Sequence, residues 1–150
     1  MNNLMKFEIV TPERVVLKVM ASRVTVPTRE GEITIMPHHI PLVSVLESGV
    51  IELESENGEV EIMSVSGGFI EVLKDKVIIL ADTAERAMEI DLGKAEEARD
   101  RAEDLKKQFK TMDAMRFADL NTGIAKELAR TKAVRRWKKM KGMDGISNKL

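Results

Sequence analysis

The chain is 150 residues long, 43% hydrophobic and 33% charged, which suits one ordinary domain, or a compact domain with an appended helical element, and not a disordered chain. It has no cysteine, which excludes disulfides, thiolate catalysis and thiolate metal sites, and its 3% aromatic content argues against a base-stacking surface for single-stranded nucleic acid. The net charge of −1 conceals a division: residues 1–85 carry 7 basic and 14 acidic groups (−7), residues 86–150 carry 17 and 11 (+6), so the two regions are expected to have different neighbours.

In chain order, the first 80 or so residues read as short strands with a period of two: Lys6–Val10, Val15–Val19, Val24–Val26, Ile33–Ile35, Val50–Glu54, Val60–Val65, Phe69–Val72 and Val77–Leu80. Asn57-Gly58 marks a tight hairpin, and Lys74-Asp75-Lys76 marks another turn. Short strands joined by short polar turns predict packed antiparallel sheets, a β-sandwich or flattened barrel. No apolar run reaches the roughly 18 to 20 residues that span a bilayer, and Met1–Lys6 lacks a signal-peptide core. The protein is therefore expected to be soluble and cytoplasmic, without membrane insertion, although it can dock on a membrane complex.

From Thr83 onward, Ala, Glu, Lys, Arg and Met replace the β-branched residues, and Asp82-Thr83-Ala84-Glu85 has the form of a helix-starting capping segment. Ala95, Ala98, Ala102, Leu105 and Phe109 form one apolar seam; Phe117, Leu120, Ile124, Leu128, Thr131 and Val134 form a second. With a turn at Lys110–Asp113, these predict an antiparallel α-helical hairpin and a frayed tail from Lys141 to Leu150. The fold class is thus α+β: a β-sandwich stalk domain over residues 1–84 and a helical hairpin over 85–150, the hairpin loosely held because its apolar stripe is narrow.

No phosphate-cradling glycine motif occurs, and Ser66-Gly67-Gly68 fits a bulge or close backbone contact between strands better than a phosphate loop. His38 and His39, adjacent and flanked by Pro37 and Pro41, point to opposite sides of an extended chain; they suit a stiffened loop or a protein interface, and no metal site is expected. Residues 121–150 hold nine basic groups and two acidic ones, including Arg135-Arg136-Trp137-Lys138-Lys139. A solvated helix face, a docking surface for an acidic protein and a nucleic-acid-binding face all remain open for this stretch. No nucleophile–base constellation is present, so no enzymatic activity is expected.

Gly31-Glu32-Ile33-Thr34-Ile35-Met36-Pro37-His38-His39-Ile40-Pro41-Leu42, Ser66–Val72 and Val77–Arg86, in this order ahead of an alanine-rich hairpin, together resemble the ATP synthase epsilon family over nearly the whole chain. Thr34 and His38 stand where that family usually has glycine. The resemblance implies a non-catalytic central-stalk subunit that couples ion-driven rotation to ATP synthesis and restrains ATP hydrolysis through its C-terminal helices. It implies residence at the cytoplasmic face of a bacterial membrane and three partners, the gamma subunit, c-ring loops and beta subunits, with no nucleic acid. Glu32 would face the c-ring, His39 would lie near gamma, and Arg130, Arg135 and Arg136 would belong to the basic partner-binding face. Some family members bind ATP in the hairpin through Ile/Leu-Asp-x-x-Arg-Ala; Ile90-Asp91-Leu92-Gly93-Lys94-Ala95 matches with lysine in place of arginine. Glu85, Asp91, Lys94, Arg101, Lys126 and Arg130 occupy the corresponding positions, so ATP is implied as a weak regulatory ligand and no cofactor as a requirement. The alternative is a free-standing nucleotide-sensing or nucleic-acid-binding protein using the basic hairpin.

Overall fold

A computed structural model describes residues 3–108 and 114–142. The expected turn at Lys110–Asp113, Phe109 of the first seam and the tail beyond Gly142 lie outside the described residues.

Seven strands form one sheet folded on itself: β1 (Met5–Val10), β2 (Val15–Thr28), β3 (Gly31–Ile35), β4 (Leu42–Leu46), β5 (Gly49–Ser55), β6 (Val60–Leu73) and β7 (Lys76–Arg86). Several expected strands merge. Val15–Val19 and Val24–Val26 are halves of the 14-residue β2, and Val60–Val65 and Phe69–Val72 are halves of β6. Along β6, Val60–Val65 pairs with β5 while Gly68–Val72 pairs with β4, so a single strand serves both layers.

Gly68 makes this passage possible. Its φ is +119°, and a Cβ there would lie 2.1 Å from the Leu80 carbonyl oxygen on β7. The close backbone contact expected at Ser66-Gly67-Gly68 is therefore present, without a register shift between β6 and β7. The Asn57-Gly58 hairpin is also in place, with Gly58 at φ +80°.

The pairing is antiparallel except between β1 and β7, which run parallel from Lys6 opposite Lys76 to Val10 opposite Leu80. Because β1 also pairs with β2, the ladder closes through β1, β7, β6, β5 and β2. These partners are remote in sequence, so the parallel pair needs no local crossover. Inside lies a core of strand residues, with Phe7, Ile9, Val24, Val26, Ile35, Ile51, Met63, Ile70, Val77 and Ile79 fully buried.

One expected element is corrected. Asp82–Glu85 does not start a helix; it continues β7, where Thr83 pairs with Ser66, the two hydroxyls 2.6 Å apart, and Arg86 lies opposite Met63. Pairing with β6 overrides local helix propensity here. After a single 3-10 turn at Ala87–Glu89, helix α1 runs from Leu92 to Gln108 and helix α2 from Ala114 to Met140. Arg135 of α2 pairs with Glu96 near the start of α1, and Lys106 near its end donates to Asn121, so the helices are antiparallel.

Candidate functional site

The hairpin meets the sandwich through a small group of side chains, with Ala133 and Trp137 of the second helix at its centre. Asp91 caps α1, its Oδ1 accepting from the Lys94 amide at 3.1 Å. One contact cluster joins Ala133 and Trp137 of α2 to Val50, Val60 and Ile62 of the sandwich and to Ala87; a second joins Val134 to Ile90, Leu92 and Ala95. Of the expected seams, Ala95, Thr131 and Val134 are buried, but Leu105, Phe117 and Leu128 are 44–46% exposed. Sequence reading missed the buried alanine row of α2, Ala129 and Ala133, of which Ala133 joins the docking cluster, with Trp137 one turn further along. The signal was present as a four-residue repeat, on a face distinct from the expected seam.

Ion pairs surround this shallow contact. Arg130 Nε donates to Glu85 Oε2 at 2.7 Å and its Nη1 to Glu127 Oε2 at 2.9 Å. Arg136 lies 3.8 Å from Glu52, which is also 3.9 Å from Arg23, and Arg135 is 3.0 Å from Glu96. Next to the hairpin, Arg86 grips Glu61 through Nε and through Nη2 at 3.0 Å. Burial opposes the charge of Arg130, but the Glu127 hydrogen bond and the Glu85 charge outweigh it and hold its pKa above the ordinary arginine value. The Glu61 hydrogen bond does the same for Arg86. A raised pKa means that each cation's contribution is complete below the ordinary arginine pKa and fades only above it, so deprotonation of these arginines plays no part near neutrality.

Of the six residues implied for a nucleotide, the structure brings Glu85 and Arg130 together as an ion pair, and places Lys126 and Glu85 in the wall of one cavity of about 230 Å³ with Asp82, Arg14 and Glu13. Asp91 is occupied as a helix cap. Lys94 and Arg101 are exposed on α1. A phosphate reaching Arg130 would have to displace Glu85 and Glu127.

Glu32 is exposed at the start of β3, opposite Pro27, whereas His39 follows the other end of that strand, where its Nδ1 is 2.7 Å from the Ile40 carbonyl oxygen. The two residues thus stand toward opposite ends of β3. Across four strands the outer surface carries an apolar row that sequence reading did not single out: Val10, Leu80, Phe69 and Val45 stand side by side on β1, β7, β6 and β4, with Leu80 56% and Phe69 55% exposed. Among the described residues there is no group of His, Asp or Glu side chains suited to a metal ion.

The family model of the ATP synthase delta/epsilon chain beta-sandwich domain matches residues 4–87. The chain belongs to the ATP synthase epsilon chain family. An epsilon chain of Dehalococcoides mccartyi is 40% identical over 136 residues, covering 90% of this chain and 95% of its own length. One of Syntrophobacter fumaroxidans is 42% identical over 128 residues, covering 85% and 92%. One of Moorella thermoacetica is 48% identical over 99 residues, covering 66% and 74%. In fold, the chain matches a subunit of the Euglena gracilis mitochondrial ATP synthase with a TM-score of 0.74 at 22% identity, covering 86% of this chain and 80% of that one.

Against the epsilon family pattern, the two replaced glycines have different consequences. Thr34 sits within β3, and its hydroxyl lies 2.9 Å from that of Thr25 on β2. His38 is held at φ +67°, the one non-glycine residue with positive φ among the described residues, and its ring is 3.8 Å from Asp75. Both partners of that pair are exposed and the contact contributes little. His38→Gly is therefore expected to stabilise the sandwich by about 0.5–1 kcal/mol, the relief of left-handed strain exceeding the added freedom of the unfolded chain. Urea unfolding of the two proteins checks this.

Proposed function

We infer that the chain is the non-catalytic epsilon subunit in the central stalk of a rotary ATP synthase, coupling ion-driven rotation to ATP synthesis and restraining ATP hydrolysis with its second helix. The observation that carries the regulatory half is the docking of α2, which rests on Ala133, the half-buried Trp137 and arginine–glutamate pairs and not on a deep core. A helix held so shallowly is suited to exchange between the sandwich and an acidic partner. In the released form Arg130, Arg135 and Arg136 would trade their glutamates on this chain for acidic segments of the beta subunits.

The sandwich is the coupling half. The apolar row around Phe69 and Leu80 suits a seat for the gamma subunit, with His39 assigned to the same partner, and the exposed Glu32 suits contact with polar c-ring loops. No helix among the described residues is long and apolar enough to cross a membrane, in keeping with peripheral attachment at the cytoplasmic face.

The test compares ATP hydrolysis by ATP synthase assembled with the whole chain or with residues 1–110, at low ionic strength and with assembly verified. Several-fold higher activity after truncation is expected. Equal activity in fully assembled complexes would remove the inhibitory role and leave the basic face as solvated surface.

A further inference from the structure

Among the described residues, the basic side chains from position 126 to 141, on the C-terminal part of α2 and the turn after it, divide by type. Arg130, Arg135 and Arg136 each meet a glutamate of another element, whereas Lys126, Lys132, Lys138, Lys139 and Lys141 make no ion pair. Two of those arginines reach the sandwich itself, Arg130 to Glu85 on β7 and Arg136 to Glu52 on β5. They stand on either side of Ala133, the fully buried centre of the docking contact. Arg135 to Glu96 braces the hairpin internally. Arg130 has the strongest setting, with its side chain 20% exposed and its guanidinium shared between Glu85 and Glu127.

We propose that Arg130–Glu85 and Arg136–Glu52 form an ionic latch that holds α2 on the sandwich without a nucleotide, Glu85 filling on Arg130 the place an anionic ligand would take. This deepens the regulatory reading above by naming what controls release. Ionic strength and local acidic charge set the docked fraction, because screening weakens exposed and half-exposed pairs while leaving the small apolar contact intact. A polyphosphate competes with Glu85 for Arg130 and cannot add to it. Glu52 also keeps Arg23 within reach, so losing Arg136 leaves it partnered; the latch opens without stranding a charge at that point.

The isolated full-length chain tests the latch independently of any role in the ATP synthase, so its failure would leave the hydrolysis comparison above untouched. The measurement is amide hydrogen exchange across residues 129–137, at about 0.05 M and about 0.5 M salt. Raising the salt is expected to lower protection of α2 by roughly tenfold, and Glu85→Gln and Glu52→Gln to lower it by about threefold each at low salt while flattening the salt response. Glu97→Gln, which removes an unpaired charge from α1, should behave as wild type, and millimolar magnesium ATP should not raise protection. Salt-insensitive exchange, a Glu85→Gln protein indistinguishable from Glu97→Gln, or a rise in α2 protection on adding ATP would each overturn the latch. If Glu85→Gln also lowers protection in β6 and β7, the cycle of Glu52→Gln with Arg136→Gln carries the test, and a coupling below twofold overturns it.

Discussion

Gly68→Ala should remove most of the stability of the sandwich. The new methyl would sit 2.1 Å from the Leu80 carbonyl oxygen and 2.8 Å from the Ala81 Cα, both backbone atoms of β7, at a φ of +119° that alanine avoids. Neither strand can yield alone, because β6 pairs with β7 from Met63 to Leu73 and with β4 or β5 on its other side. Such a site costs on the order of 4 kcal/mol or more, a large part of the 5–15 kcal/mol that holds a typical domain together. The thermal midpoint should fall by about 15 °C or more. Gly58→Ala is the internal control: its φ is +80° but nothing lies within 4 Å of the added Cβ, so its loss should be only about 1 kcal/mol. Similar losses at the two glycines would show that the close approach at Leu80 does not constrain the fold.

Ala133→Glu is expected to separate the hairpin from the sandwich without unfolding the latter. Residue 133 is fully buried against Val50, Ile62, Ala87 and Trp137, and an unpaired carboxylate there would cost several kcal/mol, more than the shallow contact can repay. Undocking is the less costly response. The main core contains side chains from Met5 to Ala84 and none from either helix, so it remains intact. Hydrogen exchange should show α2 losing protection by about a hundredfold or more while β1, β6 and β7 keep theirs. If the proposed function holds, assembled ATP synthase carrying this variant should hydrolyse ATP more slowly than wild type, the helix having been released toward the catalytic head. Loss of protection throughout the chain would show instead that the hairpin and sandwich fold as one unit.

The strands were legible wherever apolar and polar residues alternate, and the motif string around Gly31–Leu42 carried the family. Leu42–Leu46 was missed as a strand because Leu42-Val43-Ser44-Val45-Leu46 interrupts its apolar run only once, although it pairs fully with β6. The last turn of β7 was misread because Ala84, Glu85 and Arg86 favour helix locally; only Met63, Ser64 and Val65, some twenty residues earlier, hold them extended. The parallel pairing of β1 with β7 left no local trace, since it joins segments seventy residues apart. At the candidate site, basic residues on α2 were plain from sequence, but their partners were not. Arg130 and Glu85 are separated by 45 positions, and nothing in either neighbourhood marks the other. The apolar row at Phe69 and Leu80 was hidden differently: each residue fits its strand's composition, and only the register places them side by side.

The position of Trp137 has a practical consequence. It is the sole tryptophan of a chain with no tyrosine, and it lies half-buried in the docking contact beside Val50, Ile62 and Ala133. Its indole emission therefore originates at the contact that breaks when α2 leaves, with no other fluorophore of that class to dilute it. Release into water shifts such emission to longer wavelength and opens the ring to soluble quenchers. The unlabelled chain thus carries an optical gauge of its own hairpin, readable in stopped flow as well as at equilibrium.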